Sequence, residues 1–330
     1  MLLASRRVET SGGISVAHRL AGHARRGIMT DWMDFVIGLD GGGSGCRVAV
    51  CAQDGQVLAS ATSGAANYTS EPDLTVAHIC EALGKVSASL DMSHDRLLEA
   101  PAHLGVAGIV TQADAQTLAR RLPLKRCRIS DDQLTSTIGA LGDRDGALVG
   151  VGTGSFVALK RGDMVRSLGG WGLALGDQGS GAWLGRSALQ LCTLVADGLA
   201  PMSAMIASLL GQFDDDRGQM ISFARTATPA DYAGLAPRIF EAAACGDHHA
   251  RALITEGAGY LDLCLSSLAL EKDDVVCVAG GLASDYARWL SEDHRTRLVQ
   301  IQGTALDGAV RLAWRLADAK DGSLLSGPLQ

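Results

Sequence analysis

The sequence predicts an α/β protein made of two similar halves. Three observations carry this: a strand–glycine turn–strand unit at residues 35–51, a second such unit at 147–160, and helix-period segments alternating with short apolar runs elsewhere.

In the first unit, the apolar runs 35–39 and 48–51 flank Asp40, Gly41, Gly42, Gly43 and Ser44. Glycine lacks a Cβ, so backbone N–H groups in such a turn can come within hydrogen-bonding distance of an anion. A carboxylate just before the turn suits a hydrated Mg²⁺ beside that anion. The segment reads as a nucleotide phosphate clasp, with a ligand-free tight hairpin as the alternative. No G-x-x-x-x-G-K-[ST] occurs anywhere, which excludes a P-loop. A dinucleotide fingerprint would lead from strand into helix, whereas residues 47–51 resume a strand pattern.

The second unit places Gly152, Thr153, Gly154 and Ser155 between the strand-like runs 147–151 and 156–160. Two such units suggest duplicated halves facing one phosphate chain. Residues 167–185 follow, rich in glycine yet too apolar for a solvated linker, with Trp171, Leu173, Leu175 and Trp183 among them. A helix is expected to begin near Gly179.

The remaining elements fall in order. Leu74, Ile79, Leu83, Val86 and Leu90 follow a helical period, residues 103–106 read as a buried strand, 114–122 as a short helix and 127–129 as a brief strand. Asp131 and Asp132 follow that strand and precede a helix expected near Thr135. A carboxylate there sits where α/β folds place ligands, but Asp before a helix is equally a cap. The spacing alone leaves cap and catalytic base open. Residues 179–270 are dominated by helical periodicity, interrupted near Pro201, Gly211, Pro229 and Gly246. Residues 274–279 return to strand, and 304–319 close the chain as a helix.

Composition sets limits. With 330 residues, 47% hydrophobic and 20% charged, the chain has room for two domains with cores. A net charge of −7 argues against nucleic acid as partner. No apolar run reaches the ~18 residues of a membrane span. The eight cysteines are scattered without C-x-x-C spacing, which points to a reducing cytoplasm. The histidines form no H-E-x-x-H or similar cluster, and His248-His249 reads as a surface pair within a helix. Asp214-Asp215-Asp216 reads as a solvated helix start, and Gly257-Ala258-Gly259 as close helix packing. Residues 1–33 hold five Arg against Glu9 and Asp31, a net +3 that leaves −10 on the rest. Such a leader fits a transit peptide or a start assigned upstream of Met29 or Met33; the second, with 1–33 a disordered extension, is preferred.

Taken together, DGGGS at 40–44, SDD at 130–132, GTGS at 152–155, GGWG at 169–172, GDQGSG at 176–181 and AGG at 279–281 resemble the actin-like ATPase superfamily of sugar kinases. The match is with its N-acetylglucosamine kinase branch, of the BadF/BadG/BcrA/BcrD ATPase type, and runs from about residue 35 to about 316. The resemblance implies two actin-like (ribonuclease H-like) ATPase domains with a nucleotide and sugar cleft between them. The expected boundaries are 34–133 plus 304–330 for the N-terminal domain and 134–303 for the C-terminal one.

The resemblance also implies roles. Asp132 matches the catalytic aspartate, leaving Asp131 as cap or bystander. Gly41, Gly42, Gly43, Ser44, Gly152, Thr153 and Gly154 match the phosphate-contacting turns, and Gly280-Gly281 the adenosine side. Asp40 is the carboxylate on the Mg²⁺ side, through water. Asn67, Asp132, Ser155, Gly170, Trp171, Gly172 and Asp177 match the sugar side. The expected activity is ATP- and Mg²⁺-dependent phosphorylation of the 6-hydroxyl of an amino sugar, N-acetylglucosamine first and glucosamine second, by a cytoplasmic homodimer. The alternatives are an ATPase activator of a benzoyl-CoA reductase or 2-hydroxyacyl-CoA dehydratase system, and a non-catalytic sugar sensor. Cys127, Cys245, Cys264 and Cys277 lack the glycine-rich setting that the activators use to hold an iron–sulfur cluster.

Overall fold

The first half is organised by a hairpin whose strands alternate small and branched apolar residues. β1 (Phe35–Gly42) and β2 (Gly45–Ala52) pair antiparallel with Gly42 opposite Gly45, and β3 (Val57–Ser63) extends them. The computed structural model describes residues 35–90 and 92–318; the expected extension 1–33 and the end of the closing segment lie outside them. α1 (Pro72–Ser89), α2 (His94–Glu99), β4 (Pro101–Val106), α3 (Gln112–Arg121) and β5 (Arg126–Ser130) complete a five-stranded sheet of order β3-β2-β1-β4-β5, with β4 and β5 parallel to β1. Its core is Ile37, Leu39, Val48, Val50, Ile79, Leu83, Val86 and Leu104. α3 starts two residues before the expected position because Thr111 and Asp114 form a capping box.

α4 (Asp132–Leu141) leads into the second half. There β6 (Gly146–Val151), β7 (Ser155–Arg161) and β8 (Met164–Gly169) form an antiparallel run. Seven helices follow, α5 (Gly181–Ala196), α6 (Ala204–Gly211), α7 (Arg217–Thr226), α8 (Pro229–Ala233), α9 (Ala236–Ala244), α10 (His248–Ser267) and, beyond the strand β9 (Val275–Ala279), α11 (Ala283–Tyr286). β9 runs parallel to β6, giving the order β8-β7-β6-β9. This repeats the first sheet without its last strand. An isolated parallel bridge from Val276 to Leu298 stands in that strand's place, beyond α12 (Glu292–Arg295). The second core gathers Val149, Val157, Leu184, Ile206, Ile239, Ile254, Leu261 and Tyr286.

Several local expectations are refined here. Asp216 caps α7, while Asp214 and Asp215 occupy the left-handed turn before it, at φ 53° and 55°. Gly257 packs closely against the Tyr286 hydroxyl of α11 and the backbone of Gly179, whereas Gly259 faces open space. β3 and β8 were not foreseen.

α13 (Ala305–Asp318) lies across β1, β4 and α4. The crossing with α4 is made of glycine. A Cβ on Gly308 would sit 1.9 Å from Thr135 O, and one on Gly139 would sit 1.8 Å from Thr304 O. Gly38 of β1 likewise admits Val310. Arg144 closes the far end of α4, donating from Nη2 to Ala140 O at 3.2 Å and Gln300 O at 2.8 Å. Backbones this close leave α4 gripped from both halves of the chain, with its N-terminus, which carries Asp132, aimed at the space between the sheets.

Candidate active site

Four glycine-bearing segments and one helix end converge at the C-terminal edges of β1, β5, β6 and β9. The β1–β2 turn leaves Gly43 and Ser44 exposed, and Gly43 has open space where a Cβ would be. The loop carrying Asn67 is fastened to this turn: Ala66 N–H donates to Gly42 O (2.9 Å) and Ala107 N–H to Gly41 O (2.7 Å). Asn67 Oδ1 accepts from Ser70 N–H at 3.2 Å, and Tyr68 N–H donates to Ala107 O at 2.8 Å. Asn67 is thus held beside the end of β4.

Asp131 is the N-cap of α4, its Oδ1 accepting from Leu134 N–H at 2.8 Å. Asp132 is the first helical residue, three positions earlier than the expected start. Burial pushes the Asp132 carboxyl up to about 7; the charges of Asp131, Asp40 and Asp177 add to this, against the pull of its own backbone N–H. The neighbouring Asp131 and, from two other segments, Asp40 and Asp177 thereby act on the carboxylate that spacing alone left open between cap and base. Burial raises the other three also, opposed at Asp40 by Arg47, at Asp131 by the N–H groups of Leu134 and Gln133, and at Asp177 by the N–H of Gly172.

The β6–β7 turn exposes Thr153 and Gly154. α5, capped by Ser180, abuts it: Gly181 N–H donates to Gly152 O (2.8 Å) and Ala182 N–H to Thr153 O (3.2 Å). Gly280, at φ 104°, lies so close that a Cβ would meet Val151 O at 2.1 Å, which brings Gly281 against Gly152. Only glycine fits there.

The segment after β8 is drawn in by Asp177. Asp177 is 6% exposed, adopts φ 60°, and accepts from Gly172 N–H at 3.0 Å. A Cβ on Gly154 would lie 2.8 Å from its Oδ2. Gly170 rests on the amide of Gln133, the residue after Asp132, and Trp171 is 72% exposed at the rim. Arg186 of α5 steadies the segment, donating to Leu173 O at 2.6 Å.

One expected site residue, Ser155, lies within the wall of the site. Ser155 does not present its hydroxyl to the cleft: it is 2% exposed and donates to Gln178 O at 2.8 Å, pinning the two glycine segments together. Its place as the first residue of β7, pointing inward, explains this. Conversely, Gln133 and Tyr260 line the site without having been foreseen. Tyr260 lies against Gly169, and burial first, then Cys264 and Asp177, pushes its hydroxyl up to about 12. Gln133 adjoins the Asp pair, which was the available signal; Tyr260 had none.

Among the described residues no three His, Cys, Asp or Glu side chains are arranged to hold a metal. The eight cysteines are free, and Cys245 is exposed. No helix among the described residues is long and apolar enough to cross a membrane.

Comparison with known proteins gives consistent results. The model of the BadF/BadG/BcrA/BcrD ATPase family matches residues 37–310. The chain is 28% identical to the glucosamine kinase GspK of Vibrio cholerae, over 85% of this chain and 96% of that one. It is 31% identical to the solved structure of a candidate N-acetylglucosamine kinase from Chromobacterium violaceum, at a TM-score of 0.77 over 85% of this chain and 99% of that one. A Streptomyces griseus ROK family glucokinase, solved with glucose and AMPPNP, shares the fold at a TM-score of 0.53 and 21% identity, covering 85% of this chain and 99% of that one.

Proposed function

We propose an amino-sugar kinase: the chain belongs to the BadF/BadG/BcrA/BcrD ATPase family, and its site supports transfer of the γ-phosphoryl of ATP to the 6-hydroxyl of N-acetylglucosamine, or of glucosamine. The observation that carries this is the desolvated Asp132 carboxyl at the start of α4, facing Asp40 and Asp177 from two other segments.

The roles follow from position. Backbone N–H groups of Gly41–Ser44 and Gly152–Gly154, with the hydroxyls of Ser44 and Thr153, would cradle the phosphates. Gly280 and Gly281 would lie along the adenosine. Asp40 would hold Mg²⁺ through water, which neutralises charge on the transferring phosphoryl group. Asn67, Asp177 and the Gly170–Trp171–Gly172 backbone would orient the sugar, aided by the Gln133 amide. Asp132 would align the 6-hydroxyl for in-line attack and accept its proton, work that contributes about 10²–10⁴-fold. A carboxylate with a pKa near 7 is well matched to that task. Closure of the two halves about α4 and α13 would exclude water, which otherwise competes for the phosphoryl group.

The working assembly in this reading is a cytoplasmic homodimer acting on a small sugar. The net charge of −7 speaks against a nucleic-acid partner.

The test is ADP release with Mg²⁺-ATP against N-acetylglucosamine, glucosamine, glucose, N-acetylmannosamine and N-acetylmuramic acid, beside a sugar-free control. Release dependent on an amino sugar supports the reading and chooses the substrate. Equal release in every sample would refute it in favour of a partner-driven ATPase.

A further inference from the structure

β4 carries a polar side chain that the proposed chemistry does not use. His103 is 3% exposed, on the strand face opposite Ala102 and Leu104. Its Nε2 lies 3.1 Å from Ser130 Oγ, and Ser130 Oγ donates to Asp131 O at 2.8 Å. A serine has one hydroxyl hydrogen. With that hydrogen directed to Asp131 O, the oxygen is left to accept from the ring, which assigns His103 the Nε2–H tautomer. Its Nδ1, buried without a partner, is then a bare acceptor.

This arrangement is expensive for the fold. An unsatisfied buried acceptor destabilises a fold, and an apolar side chain at position 103 would avoid it. Burial and the neighbouring Arg128, the register partner of His103 on β5, both keep the ring neutral, with its pKa pushed down to about 3. A ring locked neutral carries a single N–H, and a Ser130 hydroxyl committed to Asp131 O selects the tautomer that places it on Nε2.

What the donor reaches is the peptide that joins Asp131 to Asp132. Asp131 is held at its side chain by Leu134 N–H and at its carbonyl by Ser130. The Asp132 carboxyl accepts from its own backbone N–H and its carbonyl from Thr135 Oγ1 at 3.1 Å, so its aim follows this backbone and the helix that continues from it. We propose that His103 and Ser130 form a positioning relay, in which the imidazole N–H fixes the Ser130 hydroxyl, the hydroxyl fixes the Asp131 carbonyl, and the Asp132 carboxylate is thereby aimed at the acceptor hydroxyl. This rests on Asp132 being the base; neither His103 nor Ser130 touches substrate.

Two measurements separate the relay from the kinase reading. The first needs no turnover: ¹⁵N-histidine NMR of the full chain reads the His103 tautomer directly. The expected spectrum has Nε2 protonated and Nδ1 bare from pH 5 to 9, with the Nε2 shift changed in Ser130→Ala. A protonated Nδ1, or a spectrum unaltered by Ser130→Ala, would overturn the proposal whether or not the protein is a kinase. The second is kinetic, because misplacing a reacting group by about 1 Å costs up to ~10²-fold. Ser130→Ala is expected to lower kcat about 10–100-fold with KM for ATP unchanged. His103→Phe in the Ser130→Ala background should cost nothing further in kcat, and His103→Gln, which keeps a donor, should retain most of it. A folded Ser130→Ala protein with wild-type kcat would sink the relay.

Discussion

Replacing Asp132 with Asn should make the ligand-free protein more stable and almost inactive. The Asp132 carboxyl titrates at about 7 against 3.8 for an ordinary aspartate, chiefly because burial penalises the charged form and three carboxylates add to it. Between those values the native state holds a proton that the unfolded chain has released. Its stabilising effect is therefore full below about pH 3.8 and is lost as pH rises through about 7. At 1.36 kcal/mol per unit, ionising the group at pH 8 costs the empty fold up to about 4 kcal/mol. The amide carries no charge but has its own donors and acceptor to satisfy, so the net gain expected is about 1–3 kcal/mol. At roughly 2–4 °C per kcal/mol, Tm should rise by about 2–12 °C at pH 8.

Thermal melts of both proteins without nucleotide or sugar, from pH 4.5 to 8.5, are the assay. The gap should be nil or slightly reversed at pH 4.5, rise in favour of the variant toward pH 7 and level off above it. Turnover should fall by about 10²–10⁴-fold in the same variant. A less stable variant at pH 8, or a Tm gap independent of pH, would refute the electrostatic account of this site.

Three further outcomes are expected. Wild-type kcat/KM should climb about tenfold per unit below pH 7 and flatten above it, as Asp132 loses its proton; a flat profile between pH 5.5 and 7 would count against it as base. Gly308→Ala should lower the urea midpoint by the equivalent of about 1–3 kcal/mol, because its Cβ would fall 1.9 Å from Thr135 O, while Gly259→Ala, facing open space in α10, should raise it slightly. Gly280→Ala, at φ 104° and 2.1 Å from Val151 O, should raise KM for ATP at least tenfold with the KM for sugar little changed; equal effects on both would remove Gly280 from the nucleotide side.

Much of this site was legible because its signals are local. A glycine turn between two apolar runs is a pattern of a dozen residues, and both such turns occupy strand junctions as expected. What escaped reading depends on tertiary contact. β3 and β8 are edge strands with exposed, small or polar residues, such as Ala59, Ser60 and Thr62 or Arg166 and Ser167, so neither shows a buried period. Gly139 and Gly308 looked like ordinary helix glycines until α4 and α13 crossed at that point. Ser155 shares its turn with exposed Thr153 and Gly154, but strand pleat points it inward. Residue type announced the turn; only the strand register decided which side chain could reach a ligand.

In the reading proposed above, the same cluster that burdens the empty protein makes the base wait for its nucleotide. Asp40, Asp131, Asp132 and Asp177 are each raised by burial, and Asp40 and Asp177 each hold Asp132 up. At neutral pH a substantial part of the free enzyme then carries a proton on Asp132 and cannot accept one. Positive charge placed beside Asp40 offsets the Asp40 contribution and favours the Asp132 carboxylate. The proton-accepting form is thereby populated when the phosphate turns are filled, not before. If that coupling operates, the acid pKa seen in kcat, which reports the loaded enzyme, lies below the one seen in kcat/KM, which reports the free enzyme. Equal values would mean that Asp132 does not sense the nucleotide side of the cleft, and that the carboxylates on either side of it are only neighbours.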